Sequence, residues 1–156
     1  MNNEIIFHPI AFVKNDRKRI TDDFWSEIIS EIILLDSNPV ESLDGIESFS
    51  HLNIIYHLDQ TNRIVTGSEH PRENPAWPKV GIFAQRKKDR PNPIGLTTVN
   101  LIKKEGRKLT VSNLDAIDCT PILDIKPVYS QYLPKGKIKQ PDWSNELMKD
   151  YWEKGK

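Results

Sequence analysis

The 156-residue sequence contains a single cysteine, Cys119. That excludes an internal disulfide and a cysteine-rich zinc site. No apolar run approaches the roughly 18 residues a membrane span needs. The start, Met1-Asn2-Asn3-Glu4, has neither the basic opening nor the apolar stretch of a secretory signal. Glycine is scarce, seven residues against eleven prolines. Neither GxGxxG after a strand nor GxxxxGK followed by Ser or Thr occurs, so neither common nucleotide fold is indicated. GxSxG is missing, and Cys119 has no local signature of a catalytic thiol. The histidines are His8, His51, His57 and His70. On one regular strand His51 and His57 would lie about 20 Å apart, at roughly 3.3 Å per residue, too far to share a metal. No metal and no membrane is expected, and a cytoplasmic location is the default.

Net charge is missing too: 22 basic side chains face 22 acidic ones, with a pI near 6.9. A nucleic-acid binder usually has a basic pI. Position tells more than the sum. Thr21 to Ser50 holds eight acidic residues and no basic one, whereas Lys79 to Lys108 holds nine basic and two acidic, a net +7. Neutrality is a cancellation of two blocks segregated along the chain, and a surface polarised between them is the expectation.

What is present points to short strands. The length suits one domain that buries about two-thirds of its unfolded surface. A hydrophobic share of 37% and a mean hydropathy of −0.55 leave an economical core. Prolines and glycines punctuate short apolar runs. Ile5 to Val13, Leu52 to His57 and Val80 to Ala84 read as strands. Glu27 to Leu35 suits a strand or a short helix, its β-branched pairs favouring strand. Ile94 to Ile102 turns at Glu105-Gly106 and returns as Arg107 to Ser112, a hairpin. Ser68 to Pro78, with three prolines, and Arg90-Pro91-Asn92-Pro93 are excluded from regular elements. From Asp142 the period changes. Ser144 is a plausible N-cap, and Leu147, Tyr151 and Trp143 mark one side of a helix that packs on the barrel or a partner subunit. The expected fold is mainly β: a small single-domain β-barrel over residues 1–156, its core near 5–130, with a C-terminal helical tail near 141–154.

Two stretches carry chemistry. In Gly81 to Leu96 a strand delivers Arg86 to its end, and a stiff Pro-Asn-Pro turn follows before Gly95, which allows a ligand or another backbone to approach closely. A rigid turn with solvated charges reads the same residues equally well. In Leu114 to Pro127, Asp115, Asp118 and Asp124 sit among apolar residues, where a carboxylate suits ribose hydroxyls or an amine. An Asx-type turn at Asp118 and an Asp124–Lys126 pair are the structural alternatives.

Together these stretches resemble the TsaA-like family of small β-barrel proteins. Its hallmark is similar to G-x-F-A-T-R-S/T-x-x-R-P-N-P-I-G-L followed by L-D-x-x-D-G-T-P-V/I-L-D-I-K-P. Gly81, Phe83, Ala84, Arg86, Arg90 to Leu96, Asp115, Asp118 and Thr120 to Pro127 match. Leu43 to Leu52 (LDGIESFSHL) matches a further family pattern. The resemblance covers roughly residues 5–130. It implies a homodimeric barrel that binds S-adenosylmethionine and methylates N6 of threonylcarbamoyladenosine at position 37, beside the tRNA anticodon. It places His57, Leu58, Arg86, Leu96, Asp115, Ala116, Ile117 and Asp118 at cofactor-contacting positions, Leu96 and Ile117 bracketing the adenine. A base near the nucleophilic nitrogen would assist, with Asp118 or His57 as candidates. Lys88 and Arg90 would be nearest the anticodon-loop phosphates; a solvated basic surface is the alternative.

Departures from the family pattern keep other readings open. Gln85 stands where Thr is usual, Lys87-Lys88 where Ser or Thr and Pro are usual, and Cys119 where Gly is usual. The family's Pro- and Gln-containing segment is not recognisable in Lys14 to Arg19. The C-terminal domain of longer bacterial members is not expected within these 156 residues. A small-molecule methyltransferase and a non-catalytic ligand-binding barrel are the alternatives.

Overall fold

Alternation along Leu52-Asn53-Ile54-Ile55-Tyr56-His57 directs Leu52, Ile54 and Tyr56 to one face. In the computed structural model of the chain, which describes residues 3–155, none of the three is more than 3% exposed. Their strand is one stave of a closed antiparallel barrel. The strands are β1 (Ala11–Lys14), β2 (Ile29–Leu34), β3 (His51–His57), β4 (Ser68–Glu69), β5 (Val80–Gly81), β6 (Ile94–Glu105), β7 (Lys108–Ser112) and β8 (Pro121–Pro127), and one helix follows, α1 (Asp142–Met148). Barrel order is β1-β2-β7-β6-β3-β8, with β8 returning to β1, while β4 and β5 form a two-stranded excursion. Closure removes the free edges an open sheet would present. Val13, Ile32, Leu52, Ile54, Val99 and Ile122 fill the interior.

The expected strands recur with changed limits. The segment Glu27 to Leu35 is a strand, because Ser30, Ile32 and Leu34 alternate inward. The β6–β7 hairpin turns at Gly106 in the left-handed region (φ 59°), which glycine adopts without strain. The strand expected over Ile5 to Val13 is confined to Ala11–Lys14: Ile5, Ile6 and Phe7 are 74%, 69% and 63% exposed and have no ladder partner. Val80 to Ala84 is a strand only through Gly81, after which Ile82–Ala84 coils into a 3₁₀ turn. Ser68 to Pro78 does hold regular pieces, β4 and a 3₁₀ turn at Pro71–Glu73, since its prolines follow the ladder residues. The N-cap of α1 is Pro141 rather than Ser144, whose hydroxyl donates back to the Pro141 carbonyl at 2.6 Å.

The expected polarised surface is not formed. Sheet order β2-β7-β6 lays the acidic block against the basic one: Lys108 meets Glu31 at 2.9 Å, Arg107 meets Asp36 at 3.5 Å, and Lys104 meets Asp44 and Glu47 at 3.5 and 3.7 Å. Blocks far apart in sequence neutralise one another across neighbouring strands.

Candidate active site

The antiparallel register of β3 and β6 sets Tyr56 opposite Gly95. A Cβ at Gly95 would fall 2.2 Å from the Tyr56 ring. The approach that glycine permits is therefore made by this phenol, not by a ligand. Held there, the Tyr56 hydroxyl donates to Oδ1 of Asp115 at 2.9 Å and lies 3.2 Å from the Thr97 hydroxyl, which also donates to Asp115. Tyr151, from the segment after α1, donates to Oδ2 at 2.5 Å. Three hydroxyls thus converge on one carboxylate. Burial, then the Asp115 charge, push the Tyr56 and Tyr151 phenols far above the ordinary tyrosine value, and the Arg86 charge opposes this only weakly. Both stay protonated donors, so neither can serve as a base near neutral pH.

This cluster lies in an open cleft of about 1560 Å³. Dedicated small-molecule pockets usually span 300–1,000 Å³, so there is room for two reactants. One wall is the loop from Gln85 to Pro93. Arg86 donates from Nη2 to the Leu96 carbonyl at 2.6 Å, which anchors the guanidinium beside an apolar, cleft-lining side chain that is 48% exposed. Another wall is the loop Asp115-Ala116-Ile117. A third is the C-terminal tail, with Trp143, Leu147, Met148 and Tyr151 facing inward. Backbone bonds from Phe24 and Trp25 to the carbonyls of Asp150 and Tyr151, and the Trp77 indole on Glu146, fix that tail.

Of the residues singled out in the sequence, Leu58, Arg86, Leu96, Asp115, Ala116 and Ile117 line the cleft together. His57 and Asp118 are not among the lining residues, each lying one position from one that is. His57 pairs with Ile94 across the ladder. Asp118 makes no local Asx turn. Its carboxylate takes Lys18 at 2.6 Å and the Asn15 backbone N–H at 3.0 Å, and these two bonds, Lys18 first, hold its pKa below the usual carboxylate range. Lys88 and Arg90 also line the cleft, but both are engaged. Lys88 pairs with buried Asp89 at 2.9 Å, and Arg90 donates to the Gln85 and Lys87 carbonyls, stapling its own loop. Asp124 and Lys126 pair at 2.7 Å.

The departures from the family pattern acquire physical accounts. Buried Gln85 bridges the Glu69 and Val80 carbonyls at 3.0 and 3.1 Å, a reach a threonine lacks. The Lys14 to Arg19 segment packs on the Asp115–Asp118 loop through Asn15, whose amide donates to Ser30 and to the Ala116 carbonyl at 2.9 Å each. Cys119 has φ 66°, the left-handed conformation that favours glycine. Tyr56, Thr97 and Tyr151 carry no local sign of this role, because an inward strand residue or a tail aromatic reads as core. Among the described residues, no three His, Cys, Asp or Glu side chains could together hold a metal, and no helix is long and apolar enough to cross a membrane.

A family model described as the tRNA-methyltransferase O N-terminal domain matches residues 19–133. The tRNA (adenine(37)-N6)-methyltransferase of Mus musculus is 42% identical over 102 residues, 62% of this chain and 22% of that protein. A probable S-adenosyl-L-methionine-binding protein of Methanothermobacter thermautotrophicus is 35% identical over 132 residues, 81% of this chain and 91% of its own. Among solved structures, TrmO from P. aeruginosa superposes on 91% of this chain and 64% of its own, with a TM-score of 0.70 and 25% identity. The chain spans only 22% to 26% of the length of several curated relatives it matches.

Proposed function

Because the chain belongs to the family of the tRNA-methyltransferase O N-terminal domain, we propose that it binds S-adenosylmethionine in this cleft and methylates tRNA. The acceptor is N6 of adenosine 37, in its threonylcarbamoyl form. The observation that carries this reading is the convergence of Arg86, Leu96, Asp115 and Ile117, drawn from two separate motifs, on one cleft.

The side chains fit such a cofactor. Leu96 and Ile117 offer apolar surface for the faces of a purine. Asp115, with Oδ1 taking two hydroxyls and Oδ2 one, keeps a lone pair on Oδ2 for a ribose or amino donor. Arg86, tethered by one nitrogen, keeps its other donors for a carboxylate. When bound, the cofactor supplies a methyl group on a sulfonium, open to in-line displacement. The chain's work is then to orient the two reactants, to which the rigid Pro-Asn-Pro turn and the tail wall both contribute.

The acceptor nitrogen is flanked by a carbonyl that delocalises its lone pair, so a proton leaves as the bond forms. Asp118 and His57 are the proposed bases, each adjoining a cleft-lining residue. Asp118, held ionised by Lys18, is a weak one. The reading includes a homodimer with the cleft near its interface, supported by Phe83 and Ile94, which line the cleft and are 80% and 41% exposed. A tRNA substrate implies the cytoplasm.

The test is methyl transfer by the purified chain. Label from tritiated S-adenosylmethionine should enter tRNA carrying threonylcarbamoyladenosine, and nucleoside mass spectrometry should place it on N6. Cofactor binding with no transfer to such tRNA would favour a small-molecule acceptor.

A further inference from the structure

Most of the basic block that the sequence offers to RNA is neutralised in the fold. Six of its nine cations, Lys87, Lys88, Lys103, Lys104, Arg107 and Lys108, are in ion pairs. Beside the cleft, Arg63, Lys87 and Lys88 interlock with Glu69, Glu73 and Asp89, three charges against three. Along β6 and β7 the four remaining paired cations meet Glu31, Asp36, Asp44, Glu47 and Glu105. Affinity for a polyanion comes from uncompensated cations that displace its counterions, and these ion-paired side chains supply few; Arg86 and Arg90, outside the pairs, are tied to backbone carbonyls of their own site.

Uncompensated charge lies elsewhere. From Ile125 to Pro141 there is no acidic residue, and Lys135, Lys137 and Lys139 occupy alternate positions. None of these three enters an ion pair among the described residues. All of residues 129–142 are exposed. The same segment begins with aromatic surface: Phe49 stacks on Tyr129 at 5.7 Å between ring centroids, Tyr129 adjoins Tyr132 at 6.3 Å, and Tyr132 is 85% exposed. It ends at the cleft, because Gln140 and Pro141 line it and the Gln140 amide is tied to Asn145 at 2.8 Å. At no more than about 3.6 Å per residue, Lys135 stands within roughly 18 Å of Gln140. An open aromatic face followed by unpaired lysines is the pattern that holds a single strand, bases stacked and phosphates neutralised.

We propose that the strip from Tyr129 to Lys139 is the RNA-receiving surface, with Tyr132 stacking a loop base and Lys135, Lys137 and Lys139 leading the phosphates to the cleft at Gln140. This assignment rests on the tRNA reading above for its partner, and it moves the RNA contact from Lys88 and Arg90 to the tail.

The test measures binding of a fluorescein-labelled RNA hairpin to the full chain by anisotropy, without cofactor, over a range of salt. The combined variant Lys135→Glu, Lys137→Glu, Lys139→Glu should bind at least about tenfold more weakly. The slope of log affinity against log salt should shrink by about 2, at roughly 0.7 for each phosphate no longer neutralised. Tyr132→Ala should cost roughly tenfold, and Lys103→Ala with Lys104→Ala should leave the slope unchanged. All these side chains are exposed or at the surface, and circular dichroism checks each fold. No hairpin binding by the wild type, unchanged affinity in the lysine variant, or an equal loss in the Lys103/Lys104 variant overturns the assignment. So does a lysine variant that changes only the sedimentation coefficient, which would make the strip a contact between copies of the chain. The two readings fail separately. Wild-type methyl transfer to tRNA retained in the lysine variant sinks the strip alone, whereas strip-dependent hairpin binding with no methyl transfer sinks the activity alone.

Discussion

The hydroxyl of Tyr151 lies 2.5 Å from Oδ2 of Asp115, so a tail residue completes the hydrogen-bonding shell of a carboxylate at the centre of the cleft. The family match ends at residue 133, and this contact comes from beyond it. Tyr151→Phe removes a hydrogen bond to a charged group, worth about 1.5–3 kcal/mol. Chemical denaturation should report a loss in that range, and calorimetry with S-adenosylmethionine several-fold weaker binding. Unchanged binding would reduce Tyr151 to a packing residue.

The same contact controls tyrosine ionisation. Two of the four tyrosines, Tyr56 and Tyr151, should stay protonated well above the ordinary value near 10 while the protein is folded. Absorbance titration of Asp115→Asn should show their onset at lower pH, since the opposing charge is gone while burial remains.

Cys119 holds a left-handed backbone that costs a non-glycine residue about 1 kcal/mol or more. Cys119→Gly should therefore raise stability by roughly that amount, less some gain in unfolded-chain entropy. The hydrogen bond to Asp118, and then the charge of that carboxylate, raise the thiol pKa. At pH 8 its reaction with a disulfide reagent should run slower than that of free cysteine, and Asp118→Asn should speed it. A wild-type thiol faster than free cysteine would contradict the assigned contact.

Gly95→Ala puts a methyl group inside the Tyr56 ring. Overpacking of this kind costs about 1–3 kcal/mol, and Tyr56 can yield only by leaving Asp115. Stability and cofactor affinity should fall together in Gly95→Ala, and stability should recover in part when Tyr56→Leu, which removes the ring, is added. Wild-type stability in the single variant would mean the ring moves aside freely.

Acid should act through Asp89, whose side chain is 6% exposed. Burial alone would raise this carboxyl, but hydrogen bonds from Thr61 and Lys88 outweigh it and hold the pKa below its ordinary value. A depressed folded-state pKa contributes stability that is full above the unfolded value, near 4, and is lost as pH falls through the folded one. Thermal midpoints should drop over that window, and more shallowly in Asp89→Asn. Equal slopes in the two proteins would reject the assignment.

Sequence alone determined the parts of this protein that are local. The period-two pattern of Leu52 to His57 and the turn at Gly106 fix strands because neighbouring residues alone decide them. The Arg86 to Leu96 and Asp115 to Pro127 stretches carried the family and a third of the cleft lining, their order in the chain being enough. Contacts between distant segments were decided only in three dimensions. The charge count was right, yet strand order, which no local period encodes, sets Glu31 against Lys108 and Asp44 against Lys104, turning two blocks into one neutral seam. Ile5 to Phe7 had the apolarity of a strand but no partner to pair with. Tyr151 read as a core aromatic until the tail folded back onto Asp115, since a hydroxyl's use depends on what stands 3 Å away.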